Sequence, residues 1–95
     1  MSLSNQFDKD RRARLDYSVH WVDWLGGDQI SSSSWAIVSN PDGAIVIDTP
    51  SNTTGTATIW VSSGTASETY RLENSIATLA GRTNNRSILI EAVDK

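Results

Sequence analysis

His20 is the single histidine of this 95-residue chain. With a serine and an aspartate it could form a triad in which the imidazole takes the proton of a nucleophilic hydroxyl. The Gly-x-Ser-x-Gly turn that exposes such a serine does not occur. His20 stands beside Trp21 in a strand-like stretch, where a packing or surface role is expected. Asp16, Asp23 and Asp28 lie close enough in sequence to suggest paired carboxylates for glycoside hydrolysis, or an oxygen-rich calcium loop. The Asp-x-Asp-x-Asp-Gly spacing is missing, so these residues read as caps and turns. There is no cysteine, which excludes thiol nucleophiles, disulfides and zinc–thiolate sites. No glycine-rich loop leads a strand into a helix to cradle phosphate. The expectation is a chain that is not an enzyme, with no catalytic, metal-binding or cofactor-binding residues and no cofactor.

Recognition is better represented than reaction. Trp21, Trp24, Trp35 and Trp60 could form a sugar-stacking platform, as in a carbohydrate-binding module. The other reading is that two or three of them are core. Trp21 and Trp35 have apolar neighbours at alternate positions and are read as core, in the inter-sheet packing. Trp60 falls opposite the Ile59–Val61 face and is read as exposed or at an interface. The loop Gly81 to Arg86 places Arg82, Asn84, Asn85 and Arg86, a dense set of donors, in an otherwise acidic protein. Arginine forks recognise carboxylates and carbonyls and are enriched in protein interfaces. Trp60, Arg82, Asn84, Asn85 and Arg86 are therefore the expected partner-binding residues. The competing reading has Arg82 or Arg86 pair with a nearby acid and brace the hairpin.

The elements that must position these residues are strands. From Leu15 onward apolar residues alternate rather than recur at helical spacing. Tyr17, Val19 and Trp21 share one face of a first strand. Ile30, Trp35 and Ile37 mark a second; Ile30 and Trp35 are five apart and need a bulge to share a face. Asn40-Pro41-Asp42-Gly43 is a tight turn. Ala44–Asp48 is a third strand, ended by Pro50-Ser51-Asn52. Thr56–Ser62 is a fourth, turned by Ser63-Gly64. Thr69–Ala77 and Arg86–Val93 are the last two, joined by a polar loop over 80–85. Short strands recurring about every ten residues, separated by Gly and Pro turns, predict an all-β, immunoglobulin-like sandwich of six to seven antiparallel strands. No helix beyond about two turns is expected.

The net charge is −3 and the pI about 4.8, which argues against nucleic-acid binding. Residues 1–14 nevertheless carry Lys9, Arg11, Arg12 and Arg14. They are read as a flexible N-terminal arm, either solvated or ordering on an acidic partner, with the sandwich domain over 15–95. No apolar run is long enough to span a bilayer and no secretory h-region opens the chain, so no membrane partner is expected. The expectation is a product made and kept in the cytoplasm, or exported by a route other than secretion.

Several stretches carry a resemblance. They are Asp16-Tyr17-Ser18-Val19-His20-Trp21-Val22-Asp23-Trp24-Leu25, Gly27-Asp28-Gln29-Ile30, Ser33-Ser34-Trp35, Thr58-Ile59-Trp60-Val61-Ser62-Ser63-Gly64-Thr65-Ala66, Tyr70-Arg71-Leu72 and Gly81-Arg82-Thr83-Asn84-Asn85-Arg86-Ser87. Together they resemble small virion proteins of tailed bacteriophages described as fiber–tail adaptors, over nearly all of residues 16–93. His20 and Ser67 depart from that pattern, where an acidic or polar residue and a second turn glycine are usual. The resemblance implies an immunoglobulin-type sandwich and a virion part, of a phage or prophage. It would connect tail, neck or fiber proteins, be made in the host cytoplasm, and act as a homo-oligomer in the assembled particle.

Overall fold

The structure, a computed structural model, describes residues 5–94. Seven strands and one helical turn follow each other: β1 (Asn5–Asp10), β2 (Leu15–His20), α1 (Val22–Leu25), β3 (Ile30–Ser39), β4 (Ile45–Asn52), β5 (Thr56–Ser63), β6 (Thr69–Thr78) and β7 (Thr83–Val93). They form a four-stranded sheet, β1-β7-β6-β3, and a three-stranded sheet, β2-β5-β4. The all-β sandwich expected from alternation is the observed architecture.

Alternate residues of an extended strand point to opposite faces, so each strand can give one row of side chains to a core between the sheets. β5 gives Ala57, Ile59 and Val61; β6 gives Tyr70, Leu72, Asn74 and Ile76; β7 gives Ile88, Ile90 and Ala92. Tyr17 and Val19 of β2 and Ile45 of β4 complete the rows. β6 and β7 pair antiparallel from Thr69↔Glu91 to Ala77↔Thr83 without a register shift. The bulge that Ile30 and Trp35 require lies between Ile30 and Ser32. Gly64, at φ 109°, ends β5 where a Cβ would come within 3.2 Å of the Ala92 Cβ, so both its conformation and its place favour glycine. Beside it the Tyr70 hydroxyl accepts the Thr65 N–H and donates to Asp42 Oδ1, both at 2.9 Å, pinning two turns together.

Four expectations differ from the structure. Residues 5–10 of the expected arm form β1, parallel to β7, while residues 1–4 lie outside the described residues. Phe7 meets the Tyr17 ring at 5.0 Å, and Lys9 is fully buried, donating to the carbonyls of Asp10 (2.7 Å) and Ser63 (2.8 Å). Its stem covers apolar surface while its charge meets carbonyl dipoles, which composition cannot reveal. Second, β4 runs on through Pro50 to Asn52, because an edge strand tolerates proline; its ladder shifts register between Asp48 and Ser51. Third, β7 begins at Thr83, so the hairpin loop is shorter than 80–85: Thr78 N–H bonds the Arg82 carbonyl and closes it. Fourth, Trp35 is half-buried against the core's margin rather than inside it, because β3 is the last strand of its sheet.

Candidate functional site: an arginine–tryptophan clamp

Trp21 follows β2 and is completely buried. Its indole N–H donates to Asn74 Oδ1 at 2.9 Å. α1 then turns the chain through Gly26, in the left-handed conformation, and sets Trp24 edge-on to Trp21 with ring centroids 5.5 Å apart. Two arginines cover this pair. The Arg86 guanidinium lies 4.3 Å from the Trp21 ring centroid and donates to the His20 carbonyl at 3.1 Å. The Arg82 guanidinium lies 4.4 Å from the Trp24 centroid and donates to the Leu25 carbonyl at 2.7 Å. Arg82 Nε and Nη2 both reach Asp28 Oδ2 at 3.1 Å. A cation over an indole face is favoured by the ring quadrupole, and the planar guanidinium can stack and donate together.

Asp28 is the electrostatic centre of this cluster. Hydrogen bonding by the Thr78 hydroxyl first, then by the Gln29 and Ala80 amides and by Arg82, holds its carboxyl down at about 2. These bonds satisfy the carboxylate form and so lower its proton affinity. The β6–β7 turn and the α1 turn are thereby joined through one carboxylate, with Arg82 spanning 54 positions of sequence to reach it.

The expected contact residues do not form one patch. Arg82 and Arg86 are committed to Trp24, Asp28, Trp21 and backbone carbonyls, which is the bracing arrangement. Trp60 lies on the other sheet, at the register of Asp16 and Asp48. It sits four residues along β5 from Thr56, the partner of His20, which is about 13 Å at the rise of a strand. Its ring is covered by the Arg14 guanidinium at 4.4 Å, and Arg14 also pairs with Asp48. Asn84 and Asn85 line a separate shallow hollow of about 520 Å³ with Ser32, Ser34, Ser75 and Thr83. Sequence reasoning placed Lys9 and Arg14 only in the charged arm and gave Asn74 no role. Asn74 was visible as the one polar residue in the apolar row Tyr70, Leu72, Ile76.

The arrangement suits holding and recognition. His20 Nδ1 is 3.3 Å from Thr56 Oγ1, with no serine–carboxylate relay around it among the described residues. The described residues contain no group of three His, Asp or Glu side chains placed to hold a metal ion.

The solution structure of the PKD domain from KIAA 1837 protein superposes with a TM-score of 0.56 at 14% identity, covering 97% of this chain and 81% of that one. At that identity the likeness is one of fold, and it makes the sandwich immunoglobulin-like. No curated protein matches the chain. A family model described as podophage GP4 fiber-tail adaptor protein gp77 matches residues 9–91. That span takes in β2 through β6, most of β7 and every member of the clamp, and the chain belongs to this fiber-tail adaptor family.

Proposed function

We propose that this protein is a non-enzymatic structural part of a phage or prophage virion, joining tail, neck or fiber proteins by protein–protein contact. The family match over residues 9–91 carries this reading. The geometry supports it, since the side chains with the richest chemistry are used to brace the fold. Trp21 is buried, and the rings of Trp24 and Trp60 are each covered by an arginine, which disfavours a sugar-stacking platform. A rigid, disulfide-free module repeated in the particle suits an adaptor, because many weak contacts act together when copies are held in one assembly. Of the expected contact residues, Asn84 and Asn85 remain the ones to face a partner, with Trp60 and its Arg14 cover as a second patch. The virion is assembled in the bacterial cytoplasm. The test is to purify particles from a host producing them and measure the protein by quantitative mass spectrometry. A fixed ratio to tail proteins is expected; absence from intact particles removes the reading.

A further inference from the structure

The four outer strands of the two sheets are not equally guarded. β1 carries Asp8, Lys9 and Asp10. β2 is six residues long with Asp16 and His20. β4 carries Asp48 and Pro50, a left-handed Thr49 at φ 50° and a register shift. Charge, proline, shortness and irregularity are the devices that keep an exposed edge from pairing with another chain. β3, Ile-Ser-Ser-Ser-Ser-Trp-Ala-Ile-Val-Ser, has ten residues and neither a charge nor a proline. Its only bulges are near its ends, between Ile30 and Ser32 and between Ile37 and Ser39. One edge pairs with β6; the other has no strand hydrogen-bonded to it among the described residues, and of its groups Ile30 N–H is taken by the Thr54 carbonyl.

A second observation lies on the same strand. The indole N–H of Trp35 is buried and meets no acceptor among the described residues. Trp35 borders a cleft of about 380 Å³ between β3 and β4, lined also by Ser33, Ser34, Ile47, Pro50, Ile59 and Asp48, whose carboxylate is paired with Arg14. A buried N–H without an acceptor is costly, and an acceptor brought by a ligand removes that cost.

We infer that the free edge of β3 and the adjoining cleft accept an extended, uncharged segment of another virion protein, which adds as a fifth strand to the four-stranded sheet. The inference rests on the adaptor reading and names where one partner docks. The segment's backbone completes the β3 ladder. Its alternate apolar side chains enter the cleft, and one of its carbonyls accepts from Trp35 Nε1. Area argues against a second copy as the occupant. Two copies meeting edge to edge along about 33 Å of strand, each giving a strip about 5 Å wide, bury about 330 Å², well below the roughly 1,200 Å² of a stable interface between folded proteins. A flexible segment instead gives the edge one side and the cleft another. Neutrality of β3 selects against a charged strand.

The probe is a ten-residue acetylated and amidated peptide alternating valine and serine, titrated into the labelled full chain and followed by amide NMR. Shifts confined to β3 amides, with a downfield move of the Trp35 indole proton, are the expected result. Ser34→Lys, which places a charge on the exposed edge, abolishes the shifts while the thermal midpoint stays within a few degrees. Val38→Lys, 53% exposed in the native chain, repeats the test if the first variant does not fold. Trp35→Phe weakens binding about three- to ten-fold. No β3 shift at millimolar peptide, or shifts that the lysine variants keep, overturns the inference. The same β3 shifts on concentrating the protein alone, with the diffusion of a dimer, give the edge to a second copy and also overturn it. Particle incorporation of the native chain is measured alongside: its failure with peptide binding intact strikes the adaptor reading, and its success without peptide binding strikes the edge alone.

Discussion

The Trp21 indole donates to Asn74 Oδ1 at 2.9 Å across the space between the two sheets, and both side chains are fully buried. Trp21 belongs to the chain leaving the three-stranded sheet and Asn74 to β6 of the other. The amide's Nδ2 donates onward to Ser33 Oγ at 2.9 Å and the Ser34 carbonyl at 3.0 Å. In a sandwich without disulfides this network is a polar tie between layers, beside the bond from Lys9 to the Ser63 carbonyl. Asn74→Ala is expected to cost about 2–4 kcal/mol, because it leaves the Trp21 indole N–H buried without a partner and opens a small cavity. Denaturant unfolding checks it, and a loss below about 1 kcal/mol shows that the core relaxes around the gap.

The tryptophans should separate by burial. Trp21→Ala is expected to lose about 3–5 kcal/mol, as for a fully buried aromatic. Trp60→Ala should lose about 1 kcal/mol or less, since it forfeits a single cation–π contact and partial burial. Trp35→Ala falls between them because the edge position leaves it half-buried. Equal unfolding midpoints for Trp21→Ala and Trp60→Ala contradict this ordering.

Part of this was legible in the sequence. Alternation alone put Trp60 opposite Ile59 and Val61, and the five-residue gap from Ile30 to Trp35 called for the bulge that is present. The β6–β7 ladder was legible because both strands alternate and adjoin in sequence. β1 was not. It is six residues long, charged, and paired in parallel with a strand more than 80 positions away, so nothing local announces it. Trp35 was misplaced because a core strand and an edge strand show the same alternation; the difference lies in which neighbour is missing. The clamp was half-read. Arg82 was a visible donor, but its pairing with Asp28 depends on how the β6–β7 turn meets the α1 turn.

The acid limb of stability should carry the signature of Asp28. Its folded-state carboxyl is held at about 2, by Thr78 first, below the ordinary aspartate value near 4. A depressed folded value means that the unfolded chain binds the proton more readily. This contribution is therefore complete above the ordinary value and disappears as pH falls toward 2. Native protein should lose thermal stability between about pH 4.5 and 2 more steeply than Asp28→Asn. Parallel melting curves for the two proteins across that range rule out the carboxylate as a stabilising centre.

Lys9 should act in the opposite pH range. Burial lowers its ammonium pKa, against the raising effect of Asp10. A base whose folded value is lowered binds fewer protons when folded, so stability rises with pH below its ordinary value of 10.5. Between pH 7 and 10 the midpoint of native protein should gain relative to that of Lys9→Met. Lys9→Met should also hold β1 in place, since the methionine stem keeps the apolar contact. A constant difference between the two midpoints across the range sinks the assignment.

Arg82 offers the sharpest separation of bracing from recognition. Its guanidinium stacks on Trp24, reaches Asp28 through two nitrogens and donates to the Leu25 carbonyl, so its Nε and Nη2 are engaged within its own chain. Arg82→Ala combined with Asn84→Ala should therefore lower the thermal midpoint by several degrees, and incorporation into particles should fall only as far as the folded fraction falls. Arg82→Lys should recover little of the stability. A lysine is a point charge without the planar fork, and it cannot stack on the indole while bonding the carboxylate and the carbonyl. Asn85→Ala, at an exposed position outside the clamp, should leave the midpoint unchanged, so any drop in its incorporation reads as lost contact. A double variant that melts like the native protein yet disappears from particles reverses this assignment. In that case Arg82 in the loop, and not only the asparagines that open β7, belongs to the contact surface.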